Sequence, residues 1–181
     1  KNPADRGLGR VNRPVINVSW NDAKQYVEWL SVRTGKTYRL LTEAEWEYAC
    51  RAGTESPFAF GDTLTPELAT YLCSDKFASG PRGDAAGRTT PVGASGLSND
   101  FGIIDTHGNV WEWCQDGYDA GYYASSLPTN PTGPSEASSR VIRGGCWNGG
   151  PAGCRPAYRS GFTSEVRIRD LGFRLAAVRS E

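Results

Sequence analysis

Apolar residues recur at helical spacing in two short stretches of this chain. Ala23, Tyr26, Val27 and Leu30 mark one face of a segment that begins after Ser19 and ends at Gly35. Ser19 caps its start and Asp22 lies in its first turn. The second stretch opens on Thr42-Glu-Ala-Glu45, a capping box whose hydroxyl and carboxylate stand three positions apart. Ala44, Trp46, Tyr48, Ala49 and Cys50 supply its apolar residues, and Gly53 is the expected stop. Elsewhere the pattern predicts only short strands: 14–18, 38–41, 101–104, 110–114, 140–147 and 172–178. Residues 1–13 form a polar lead-in to one domain over 14–181. Between Thr54 and Asn99 no period is sustained, yet Phe58, Phe60, Tyr71 and Phe77 are spread through the stretch. It is therefore expected to be an ordered loop, and a loop of that length often needs an ion or a partner. Asp75, Asp84 and Asp100 are candidate ligands there, with solvated surface as the competing role.

Composition narrows the function classes. The 181 residues suffice for one domain with a core. Twenty basic and twenty acidic side chains cancel. No bulk charge draws the chain to nucleic acid or to an anionic membrane. No apolar run reaches membrane-spanning length, and no signal peptide is visible. The chain starts at Lys1, and the expectation is a fragment of something longer; the compartment stays open. The five cysteines, Cys50, Cys73, Cys114, Cys146 and Cys154, are odd in number and contain no CxxC. Neither a disulfide framework nor a structural zinc site is implied. Cys146 and Cys154 are near enough in sequence to bridge or share a soft metal, but separate roles are favoured. The lone His107 provides no His-rich metal site, and no nucleophile for it is identifiable.

The richest chemistry lies in Asp105-Thr-His-Gly-Asn-Val-Trp-Glu-Trp113. Asp105 and Glu112 flank a Gly-Asn turn that exposes carbonyls at Gly108 and Val110. Two carboxylates and two carbonyls make an all-oxygen set suited to calcium. A tight turn whose tryptophans fill a core is the equal alternative.

Five blocks in order resemble the formylglycine-generating enzyme, or sulfatase-modifying factor, domain family. They are Pro14-Val-Ile-Asn-Val-Ser-Trp20, Tyr38-Arg-Leu-Leu-Thr-Glu-Ala-Glu-Trp-Glu-Tyr48, Gly102-Ile-Ile-Asp-Thr-His-Gly-Asn-Val-Trp-Glu-Trp113, Arg140-Val-Ile-Arg-Gly-Gly145 and Leu171-Gly-Phe-Arg174. The resemblance implies an α+β, C-type-lectin-like fold: two helices, a small twisted antiparallel sheet and much loop. It also implies structural calcium on the Asp105 side chain, the Gly108 and Val110 carbonyls and the Glu112 side chain. A second calcium position would use Asp84 and carbonyls near Tyr71 and Ala86.

The same resemblance poses the choice between oxidase and binding protein. The family's enzymes hold copper with two cysteines shortly after the Gly-Gly, because Cu(I) favours paired thiolates. Cys154 matches the second of these. The first matches Gly149, which has no side chain. A displaced pair of Cys146 and Cys154 is the alternative catalytic site, acting on a cysteine-containing peptide. The segment at about 140–174 also resembles the variable proteins of diversity-generating retroelements. Their adenine-directed mutation excludes Lys, Gln, Glu, Met and Trp, and the candidate positions here hold none of these. The expected ligand-binding residues are Cys146, Asn148, Gly149, Gly150, Gly153, Tyr158, Ser160, Phe162, Val166, Ile168, Arg169 and Asp170. Glycines leave room there, aromatics offer apolar contact and arginines offer forked donors. The reading favoured by the sequence is a non-catalytic display protein that binds a protein or glycan. A copper-dependent oxidase, or a regulatory module of a larger chain such as a kinase, is the alternative.

Overall fold

Ser19 and Thr42 set the two helices. In this computed structural model, which describes residues 2–83 and 86–178, α1 spans Trp20–Thr34 and α2 spans Glu43–Arg51. Each cap hydroxyl accepts from the N–H three residues on, and Asp22 or Glu45 reaches back to the cap N–H. Both capping boxes satisfy amides that the first helical turn would leave orphaned. Gly35 ends α1 in the left-handed conformation at φ 70°. Ala52, one residue before the expected stop at Gly53, ends α2.

The strands are β1 (Thr37–Leu40), β2 (Trp111–Gly117), β3 (Ser139–Arg143), β4 (Ser160–Thr163), β5 (Leu171–Phe173) and β6 (Leu175–Val178). One sheet has the order β4-β3-β2-β5, antiparallel except where β2 runs parallel to β5. A second sheet pairs β1 with β6 antiparallel. Ala23 and Val27 of α1 pack with Leu40, Trp113, Ile142 and Leu171 in the main core. Trp46, Cys50, Cys114 and Val141 form a second cluster beneath α2. A third cluster gathers Phe58, Leu64, Tyr71, Cys73 and Cys154 under the long loop.

Several expected strands differ. Residues 14–18 form none, because Asn17 sits at φ 56° and extended pairing cannot pass through it. Residues 101–104 form none either. Gly102 has φ 75°, and the Asn99 side chain accepts from the N–H groups of Phe101 and Ile103. The strand expected over 140–147 stops at Arg143, where Gly144 and Gly145 turn to positive φ. The strand expected over 172–178 is divided between two sheets at Arg174. Strand β4 has no periodic signal and exists because β3 offers it an edge.

The long loop is ordered by its own polar side chains. Asn99 donates to the carbonyls of Ala49 and Cys50. Asp105 accepts from Gly93 N–H, and Asn109 from Thr90 N–H. Each bond satisfies a backbone group that a buried loop would otherwise leave costly.

Candidate functional site

The Asp105–Trp113 turn ties three segments together. Asp105 stands at φ 55° and Asn109 at φ 63°. Asn109 N–H donates to Thr70 O at 2.7 Å, and its own carbonyl accepts from Trp147 N–H at 2.9 Å. Gly108 N–H donates to Gly144 O at 2.7 Å. A Cβ on Gly108 would lie 2.2 Å from Thr70 O, so this close approach requires glycine.

Asp105, Gly108, Val110 and Glu112 line one cavity of about 230 Å³, shared with Arg174. The four expected calcium donors are thus brought together. Glu112, however, is already engaged. Its carboxylate takes Arg174 Nε at 2.5 Å, Arg174 Nη2 at 2.6 Å and Trp46 Nε1 at 2.6 Å. Oε2 receives two donors and Oε1 one, so only Oε1 keeps an open lone-pair direction. Two carboxylates and one guanidinium leave a net charge of one negative unit around the cavity. The donor chemistry fits a hard cation, with Glu112 restricted to a single oxygen.

The second expected calcium position falls partly outside the described residues. Tyr71 is fully buried, and its carbonyl accepts from Cys73 Sγ at 3.3 Å. Ala86 is exposed, and Asp84 lies outside the described residues. Asp75 and Asp100 are exposed. Among the described residues no three His, Cys, Asp or Glu side chains cluster as metal ligands.

Cys50, Cys114, Cys146 and Cys154 are free thiols. Cys146 is 3% exposed and Cys154 0%. Burial, then the Asp170 carboxylate, pushes the Cys146 thiol up to about 12. Its Sγ lies 3.5 Å from Asp170 Oδ2, as a donor. Burial also raises Cys154, with Cys146 adding to the shift. Both thiols therefore stay protonated at neutral pH. At position 149 a Cβ would sit 3.4 Å from Cys146 Sγ, an ordinary contact distance. A side chain would find room at 149, where the sequence resemblance expects the family's first cysteine.

His107 is a neutral structural histidine. Its Nε2 accepts from Ala59 N–H, which leaves Nδ1 to donate to Cys154 O at 2.8 Å. Burial lowers its pKa. Its rings neighbours are Phe58 and Phe60. Cys50 Sγ lies 3.8 Å from Nε2, a neighbour the sequence did not reveal. Burial pushes that thiol up to about 12, so the pair holds no ready thiolate.

The 146–170 segment divides by environment. Asn148, Tyr158 and Arg169 are exposed. Tyr158 lies beside Trp111 with ring centroids 5.9 Å apart, and a Cβ on Gly153 would lie 3.5 Å from the Trp111 ring. Phe162, Val166 and Ile168 are half-buried against the main core. Ser160, Gly149, Gly150 and Asp170 are intermediate. Arg169 stacks 4.9 Å from the ring of Trp147, whose buried indole N–H has no acceptor among the described residues. Asn148, Ile168, Arg169 and Asp170 share an open cleft of about 610 Å³ with Arg6, Leu8, Asn17 and Arg167.

A buried ionic network was not anticipated. Arg143, 0% exposed, bonds Glu43 and Glu47, and Arg159 bonds Glu43 through Nε at 2.7 Å and Nη2 at 2.8 Å. The available signal was an arginine inside the apolar run Val141-Ile-Arg143. Nearby Asp116 accepts from Glu43 N–H, and burial raises its pKa to about 6.

Comparison with known proteins places this geometry. Formylglycine-generating enzyme of Streptomyces coelicolor is 42% identical over 176 residues, 93% of this chain and 54% of its own length. Inactive C-alpha-formylglycine-generating enzyme 2 of Bos taurus is 34% identical over 187 residues, 98% of this chain and 55% of its own. The chain spans about half the length of these curated relatives. Treponema denticola variable protein 1 superposes with a TM-score of 0.79 at 28% identity, covering 98% of this chain and 75% of that one. The α+β, C-type-lectin-like architecture is common to both. The sulfatase-modifying factor enzyme 1-like domain matches residues 2–179, and this chain belongs to that family.

Proposed function

We propose that this chain is a non-catalytic ligand-binding domain that presents residues 146–170 as its recognition surface. Gly149 carries this reading: it stands where a copper-binding cysteine would be needed, with Cys146 Sγ 3.4 Å from where its Cβ would lie. The two remaining thiols of the segment, Cys146 and Cys154, are buried. The likeness to Treponema denticola variable protein 1 and to a relative named inactive supports the same reading. Exposed Asn148, Tyr158 and Arg169 supply adaptable hydrogen bonding, a rigid ring and a forked cation. The partner is a protein or a glycan. Calcium at Asp105, Gly108, Val110 and Glu112 would be structural, drawing the long loop onto β2.

The test is a Cu(I) titration followed by oxygen uptake with a cysteine-containing peptide, beside a peptide and glycan array. The expected result is no turnover, with array binding that Tyr158→Ala or Asn148→Ala weakens. Stoichiometric tight copper with turnover would overturn the proposal in favour of the oxidase.

A further inference from the structure

Helix α1 has a second face that the core does not use. Ala23 and Val27 point inward, whereas Tyr26 and Trp29 are 44% and 57% exposed. They stand three positions apart on one helical face, with ring centroids 5.5 Å apart. Phe173 of β5 adds a third ring, 5.7 Å from Tyr26. Together they line a cavity of about 920 Å³, the scale of a ligand site. Arg6, Asn17 and Arg167 line this cavity and also the 610 Å³ cleft that contains Asn148 and Arg169. The two are therefore one groove, aromatic at the α1 end and basic at the other.

Charge along the groove is not balanced. Arg167 bonds Asp22 through Nε at 2.7 Å and Nη2 at 2.8 Å, so that pair is neutral. Arg6 and Arg169 remain against the single carboxylate of Asp170. Asp170 is turned towards the Cys146 thiol, and Arg169 is held over Trp147. The walls at the aromatic end carry apolar Val15 and Leu175, with Asn2 and Gln25 among the polar lining. An aliphatic or aromatic side chain is desolvated well against Tyr26, Trp29 and Phe173.

We infer that this groove binds an acidic peptide segment of a partner protein, with an apolar anchor residue on Tyr26, Trp29 and Phe173 and carboxylates at Arg6 and Arg169. The inference rests on the binding-domain reading above and extends its surface from the 146–170 segment onto α1. Guanidinium groups suit carboxylates through forked hydrogen bonds, and an aromatic-lined pocket suits a buried anchor.

The probe is a fluorescein-labelled peptide of one leucine and one phenylalanine flanked on each side by two aspartates, read by anisotropy. Binding is expected, and it weakens as salt rises. Replacing the aspartates by asparagines, or the two apolar residues by serines, weakens it about tenfold, the scale of losing one anchor. Trp29→Ala and Arg169→Glu do the same at unchanged melting temperature, and Trp29→Phe restores most of the affinity. No binding, equal binding of the asparagine peptide, or preference for a polyuronate oligosaccharide overturns the inference. Peptide binding lost in Tyr158→Ala but kept in Trp29→Ala sinks the α1 extension and leaves the 146–170 surface standing. Copper-dependent turnover sinks both.

Discussion

Arg174 grips Glu112 with two nitrogens, at 2.5 and 2.6 Å, across 62 residues of sequence. The same guanidinium donates to the carbonyl of Asp105 at 3.0 Å. One side chain at the junction of β5 and β6 thus fastens both ends of the Asp105–Trp113 turn.

Removing one partner of a largely buried pair leaves the other unpaired. Arg174→Met is expected to lower unfolding free energy by about 3 kcal/mol, measured by urea denaturation. The double variant Glu112→Gln, Arg174→Met recovers part of that loss. Additive losses would show that the pair is not coupled.

Calcium binding to the folded state alone would raise the melting temperature. At a hundredfold excess over Kd the gain is about 2.7 kcal/mol. Chelator should lower the melting temperature of the native chain and leave Asp105→Ala unmoved. Identical melting curves with and without chelator would rule out the site.

Asp116 is expected to make stability depend on pH. Its folded pKa of about 6 is raised above the 3.8 of an unperturbed aspartate, because burial disfavours the charge. The folded state therefore holds this proton more tightly than the unfolded state. Stability from this group rises as pH falls from about 7 through 6, and levels off below the unfolded value. The span is about 3 kcal/mol. Asp22, held down at about 2 by Arg167, stays ionised across that window. Relative to Asp116→Asn, the native chain should gain stability between pH 7 and pH 4. A constant difference would contradict the shift.

Gly149→Cys with Cys146→Ser restores the sulfur that the oxidase chemistry lacks. The three atoms nearest the new Cβ, at 3.4 to 4.0 Å, all belong to residue 146. This variant is expected to bind Cu(I) at least about tenfold more tightly than the native chain, because it moves one thiol from 146 to 149, the position that the sequence resemblance pairs with Cys154. Isothermal titration under anaerobic conditions measures it. Equal affinity would remove Gly149 as support for the proposed non-catalytic reading.

Much of this was legible locally. Ser19 with Asp22, and Thr42 with Glu45, carry their helix starts in three-residue spacings, and cap bonds are made within one turn. The Gly108-Asn109 turn is local as well, since both residues tolerate positive φ. The ordered motifs also carried the family and its α+β fold, which the comparisons bear out. Strands were less legible. Residues 14–18 are mostly apolar but pass through a left-handed Asn17, whereas 160–163 show no alternation and still pair with β3. A strand depends on the edge it meets, and that edge is distant in sequence.

The sequence by itself determined the helices, the turn and the absence of a thiol at 149, because each depends on residues within a few positions. Only the tertiary structure decided that Glu112 belongs first to Arg174, that Cys146 is buried against Asp170, and that Arg143 is enclosed by Glu43 and Glu47. It alone also joined Trp29 and Arg169 along one groove. Charges and thiols take their character from neighbours that folding delivers, and no spacing along the chain encodes which neighbour arrives.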